Sequence, residues 1–153
     1  MTGAVAIDLD GALGDTRPLW NDWLASASEL FGVDASALPA DRSEAAAELD
    51  ARGGGNWRVL LERFAEDRVA VYVRRDAETG AALRALAAAG REIGVFTDAP
   101  EPLARVALAQ LGIARRLVAF EAGSSALERL LGRLGPETVV VSSRGELLEE
   151  AAA

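Results

Sequence analysis

The chain has 153 residues, half of them hydrophobic, and a formal net charge of −8; a chain of this length buries roughly 68–70% of its unfolded surface, enough for one domain with a proper core and a subordinate insertion. It contains neither cysteine nor histidine, which excludes disulfides, thiolate and imidazole metal sites and histidine-based triads, and leaves carboxylates, hydroxyls and backbone as the catalytic inventory. All sixteen basic residues are arginine, the net charge opposes binding to nucleic acid, and no apolar run approaches the ~20 residues of a membrane span. With no basic-then-apolar signal segment at its start, the chain reads as soluble and cytoplasmic, with neither nucleic acid nor membrane as a partner.

Val5, Ala6 and Ile7 form a short apolar run, β-branched at two positions and bounded by Gly3 and Gly11, and predict a buried strand. The strand delivers Asp8 and Asp10 to its carboxyl end, on one face if it continues, or with Asp10 re-aimed if it ends at Asp8. Two close carboxylates are costly to bury without a cation or a proton, so the pair points to a metal or nucleophile site; the competing reading is a solvated turn in which Asp10 and Gly11 reverse the chain. Thr16 is placed to cap a helix with Pro18 at its second position, apolar residues from Leu19 to Leu30 at helical spacing, and Gly32 as its stop. Val33 to Asp41 reads as a loop, Ser43 to Arg52 as an alanine-rich helix, and Gly53, Gly54 and Gly55 as a break. A third helix is expected from Asn56 as cap to about Asp67. These helices form a block separate from the C-terminal half of the chain, and its tryptophans fall at the spacing of core residues.

From Asp76 helix and strand alternate: a helix to Ala89, a strand from Glu92 to Thr97, a helix opened by Pro100 and Pro102 and closed by Gly112, and a strand over Leu117 to Phe120. A helix from Ser125 to Leu134 comes next, with a capping box in Ser125 and Glu128; then a strand from Thr138 to Ser142, and a last helix with a capping box in Ser143 and Glu146. This alternation predicts an α/β fold, a three-layer Rossmann-like core around a parallel sheet, with an all-helical insertion. Right-handed crossovers would bring Asp8 and Asp10, Thr97 and Asp98, and Ser142 and Ser143 to one crevice at the carboxyl ends of the strands.

At these strand ends the sequence resembles the haloacid dehalogenase superfamily of phosphohydrolases. DLDGALGDT is similar to its first motif, VFTDAP to its second, and the helical block to a small cap inserted after the first motif. The resemblance covers nearly the whole chain and implies a core of residues 1–15 and 76–153 with a cap of residues 16–75. It implies that Asp8 is the nucleophile, forming an aspartyl phosphate, and that Asp10 protonates the leaving group and then activates water. It further implies that Gly11, Thr97 and Asp98 belong to the phosphate site, although Thr97 also reads as a strand-end hydroxyl and Asp98 as a helix cap paired with Glu101. A small phosphorylated molecule is the implied ligand.

Two motifs depart from the pattern. The third should supply a lysine or arginine, but the corresponding loop, EAGSSALERL, offers Gly123, Ser124 and Ser125. The fourth should supply acidic residues that complete a Mg2+ site with Asp8 and the carbonyl of Asp10, but VVVSSRGELLEEA has Ser143 and Leu147 there, and serine is a poor magnesium ligand. Glu146, as a metal ligand, and Arg144, as a replacement cation, are the candidates to fill these gaps; a capping partner and a solvated arginine are their alternative roles. Two unit charges ~4 Å apart repel by ~4 kcal/mol at an effective dielectric of ~20, and each ~1.4 kcal/mol is tenfold in rate, so loss of both cations weakens catalysis by orders of magnitude. The sequence therefore supports two expectations: a weak magnesium-dependent phosphatase, or a catalytically impaired relative that binds a small phosphorylated ligand or a protein partner.

Overall fold

A computed structural model describes residues 3–52 and 55–153; the predicted break at Gly53 and Gly54 lies outside them. Four parallel strands form one sheet in the order β3-β2-β1-β4, with β1 at Val5–Asp8, β2 at Ile93–Thr97, β3 at Ala119–Ala122 and β4 at Val139–Val141. The register sets Val5 opposite both Ile93 and Val139, and Asp8 opposite Phe96. Helices α1 (Arg17–Phe31), α2 (Arg42–Ala51) and α3 (Trp57–Tyr72) intervene between β1 and α4 (Ala77–Ala88); α5 (Glu101–Leu111), α6 (Ala126–Leu134) and α7 (Arg144–Ala152) complete the chain.

Alternation along β1 separates the two faces of the sheet. Val5 and Ile7 join a large cluster with Leu83 and Leu86 of α4, Leu103 and Ala107 of α5, and Leu147 of α7. Ala6 points the other way, onto Ala119 and Leu130 of α6. Across that second face Ala6, Gly94 and Ala119 lie side by side, and a Cβ at Gly94 would stand 2.8 Å from methyl carbons of Leu130 and Leu134. This row of small residues is what lets α6 settle onto the sheet. The result is the three-layer α/β core expected from the sequence, with helices on both faces of a parallel sheet.

The three inserted helices do not keep a core of their own. Trp20, Trp23 and Trp57 are buried against one another, with ring centroids 5.3 to 6.4 Å apart, and belong to the same cluster as Ile7 and Leu103. Helix α3 runs on to Tyr72, past the expected end near Asp67, because Val69 is buried and the Tyr72 hydroxyl donates to Asp22 of α1.

Several local expectations give way to tertiary contacts. Strand β3 begins at Ala119 because the Leu117 N–H is taken by the Ala114 carbonyl. Ser125 does not cap α6: it adopts the left-handed conformation, φ 54°, and its side chain makes no capping bond, so the box with Glu128 does not form. At α7 the predicted cap is present, with the Ser143 hydroxyl accepting the Glu146 N–H at 3.1 Å.

Candidate active site

β1 ends at Asp8 and the chain turns sharply through Leu9–Leu13, with Leu9 and Leu13 buried. The turn re-aims Asp10, whose backbone is extended (φ −84°, ψ 115°), while Gly11 takes φ 107°. Gly11 is required twice over: its φ disfavours any side chain, and a Cβ there would lie 2.9 Å from the Ser142 carbonyl oxygen. Its N–H donates to the Gly14 carbonyl at 2.7 Å. The turn thus engages the N–H that the resemblance assigned to a phosphate.

The two aspartates are bonded in opposite ways. Asp8 accepts one hydrogen bond, from the Asp10 N–H to Oδ1 at 3.1 Å, and is half-buried. Asp10 is 7% exposed and accepts four. Its Oδ1 takes the Thr16 N–H and the Thr16 hydroxyl, each at 2.7 Å. Its Oδ2 takes the Thr97 hydroxyl at 2.8 Å and Nη2 of Arg42 at 2.5 Å. An ionised carboxylate offers about four acceptor sites, so Asp10 is saturated.

Arg42 is the group that sequence reasoning missed. Its side chain is 3% exposed. Nη1 donates to the Thr16 hydroxyl oxygen at 2.7 Å, while Nη2 and Nε donate to Asp98 Oδ1 at 2.7 and 3.1 Å. The Arg42 backbone N–H reaches Asp98 Oδ2 at 3.3 Å. Asp98 thus receives the start of α2 and does not cap α5, where Pro100 occupies the N-cap; it pairs with Arg42 at the border of the cleft. Thr16 likewise makes no side-chain cap for α1, its hydroxyl being spent between Asp10 and Arg42. One signal was present in the sequence: Arg42 opens α2, behind the Asp41 cap, where the helix dipole disfavours a cation. An arginine in that place calls for a nearby anion.

These bonds shift the two acids apart. Burial, then the charge of Asp10, pushes the Asp8 carboxyl up to about 6. Burial also pushes Asp10 upward, but the Arg42 guanidinium and the hydrogen bonds from Thr16 and Thr97 outweigh it and hold Asp10 below the usual carboxylate range. At neutral pH both are ionised, Asp10 firmly and Asp8 more weakly.

A cleft of about 420 Å3 opens at this end of the sheet, bordered by Asp8, Asp10, Arg42, Thr97, Gly123 and Ser125 among others. Ser143, Arg144 and Glu146 do not border it. Arg144 is turned away, paired with Asp76 at 2.7 Å and Glu78 at 2.8 Å, and it forms no ion pair with Asp8 or Asp10. The Glu146 carboxylate accepts the Ser142 N–H at 3.3 Å, a local bond at the start of α7. The donor set does not fit a resident Mg2+. Magnesium demands an octahedron of oxygens, yet beside the Asp8 carboxylate and the Asp10 carbonyl the chain places only serines after β4, and no three acidic residues among those described are grouped to hold a metal ion.

Neither a family model nor a curated protein sequence matches the chain. Solved structures do. The chain is similar to CbbY from Rhodobacter sphaeroides in complex with phosphate, at 16% identity and a TM-score of 0.67, over 99% of this chain and 84% of that one. A CbbY variant from the same organism with xylulose-(1,5)bisphosphate gives 15% identity and 0.66, over 99% and 84%. A HAD phosphatase from Thermococcus onnurineus gives 18% and 0.57, over 92% of this chain and 77% of that one. The likeness shows the fold shared with these proteins: an α/β core with helices inserted after the first strand.

Proposed function

We propose that this haloacid dehalogenase-like chain is a weak phosphohydrolase of small phosphomonoesters, with Asp8 as nucleophile and residues 16–75 acting as a reduced cap. The observation that carries the reading is the disposition of Asp8. It stands at the carboxyl end of a central strand in a cleft, with one carboxylate oxygen held by backbone and the other without a hydrogen-bond partner among the described residues. That free oxygen attacks phosphorus, the bond from phosphorus to the leaving oxygen breaks, and an aspartyl phosphate forms.

The leaving oxygen needs a proton, and Asp10 cannot donate one while Arg42 holds it ionised. An incoming phosphoryl dianion competes with Asp10 for the guanidinium, and Arg42 supplies the positive charge that the lysine-free third motif lacks. Relieved of its ion pair, Asp10 binds a proton more readily, passes it to the leaving oxygen, and then takes one from the water that attacks the aspartyl phosphate, releasing phosphate and restoring Asp8. The ligands of CbbY, phosphate and a sugar bisphosphate, support a small phosphorylated substrate. Hydrolysis of 4-nitrophenyl phosphate tests the reading: turnover lost in Asp8→Asn supports it, and the same rate in both proteins overturns it.

A second reading is a phosphate-binding protein without turnover, favoured by the saturation of Asp10 by Thr16, Thr97 and Arg42. It predicts no hydrolysis above buffer, together with binding of inorganic phosphate that is weakened by Arg42→Met.

A further inference from the structure

A second cavity, of about 560 Å3, lies away from the two aspartates, between the start of α4 and the end of α5. Three arginines border it: Arg75, Arg84 and Arg116. None of the three forms an ion pair among the described residues, although the chain carries 24 acidic and 16 basic residues. The one carboxylate at the rim, Asp76, is already bonded to Arg144, and Glu78 beside it is held by the same guanidinium.

The arginines are placed rather than splayed. Arg75 Nε donates to the Gln110 carbonyl at 3.0 Å, and its guanidinium lies over Gly112, where a Cβ would approach Nη2 to 2.9 Å. Arg84 lies over Gly80, its Nη1 3.5 Å from the position of a Cβ. Beneath them the floor is apolar and buried, formed by Leu13, Leu83, Leu111 and Ile113. Guanidinium groups above an aliphatic floor match a ligand with a charged end and an apolar body.

We propose that this cavity binds a small organic anion, its acidic group facing Arg75, Arg84 and Arg116 and its apolar body resting on the accessible edges of Leu13, Leu111 and Ile113. The site is separate from the Asp8 cleft and independent of whether that cleft hydrolyses anything. Leu13 on its floor is the last residue of the turn that carries Asp10.

Titration with 1-naphthalenesulfonate, which offers a charge and an apolar ring but no phosphoryl group, tests the assignment by calorimetry and amide chemical shifts. The expected result is saturable binding, with shifts at Leu13, Leu111 and Ile113, weakened at least tenfold in Arg84→Glu/Arg116→Glu. That double variant changes two exposed side chains and keeps the fold, which circular dichroism verifies. Arg63→Glu/Arg68→Glu on α3, an equal change of charge elsewhere, is expected to alter affinity less than twofold. Equal weakening by both pairs would overturn the site, as would shifts confined to Asp8 and Thr97. Inorganic phosphate binding as tightly as the sulfonate would overturn the organic character of the ligand.

Discussion

The cleft and the larger cavity use the same side chain to opposite ends. In the cleft, Arg42 is buried and neutralised between Asp10 and Asp98, and the network it closes leaves no buried side-chain nitrogen or oxygen without a partner among the described residues. In the cavity, Arg75, Arg84 and Arg116 carry no carboxylate among the described residues and face solvent. A buried guanidinium cannot be left without an anion, because desolvation costs several kcal/mol per ion, and in the absence of ligand Asp10 and Asp98 fill that need. An exposed one can leave that role to a ligand. Within the cleft the contrast repeats on a smaller scale: Asp10 belongs to the closed network and Asp8 does not.

The largest effect expected is on chemistry at the open position. Asp8→Asn should bring hydrolysis of 4-nitrophenyl phosphate to the buffer rate, since the proposed nucleophile is removed while the bonds to the Asp10 carboxylate are untouched. The next largest is on the closed network. Arg42→Met strands Asp10 as a buried, unpaired acid and should cost about 3–5 kcal/mol in urea unfolding, whereas adding Asp10→Asn should recover more than half of that loss. A simple sum of the two losses would show that the pair is not coupled. Gly11→Ala, which forces a left-handed alanine against the Ser142 carbonyl, should cost about 1–3 kcal/mol.

The pH dependence of stability separates the two aspartates by sign. Asp8 has its folded pKa raised to about 6, so its contribution is fully present below about pH 4 and is lost as pH rises through 6. Asp10 is depressed, so its contribution is present above its unfolded value and is lost as pH falls. Urea midpoints measured from pH 4 to 7 should therefore fall in the natural protein relative to Asp8→Asn; parallel curves would show that Asp8 is not perturbed. The smallest effect should come from metal removal. Because no resident magnesium site is built, chelation is expected to change turnover less than twofold, and a tenfold loss would mean that metal arrives with the substrate or completes a site these residues do not.

Much of the fold was legible because its signals are local. The run Val5–Ile7, the glycine stops at Gly32 and Gly112, and the alternation of helix and strand after Asp76 each depend on a few neighbouring residues, and the observed elements agree with them to within a few positions. Ser125 shows the limit, since Ser125 and Glu128 have the spacing of a capping box but the loop holds Ser125 at positive φ, where the cap cannot form. Arg144 shows another: it comes just after the last strand in sequence, yet Asp76 and Glu78 at the start of α4 draw it out of the cleft.

The sequence by itself indicated the parallel core, the strand that delivers Asp8 and Asp10 to its carboxyl end, and the cost of burying that pair without a cation or a proton, because strand periodicity and carboxylate repulsion are properties of adjacent residues. Only the tertiary structure decided which cation answers the need. Arg42 lies 32 positions from Asp10 and 56 from Asp98, just ahead of the helix that the sequence predicts from Ser43, and the docking of the first N–H of α2 on Asp98, just after β2, is what sets its guanidinium between them. Side chains distant in sequence meet by burial, and the electrostatic cost of that burial then selects their partners.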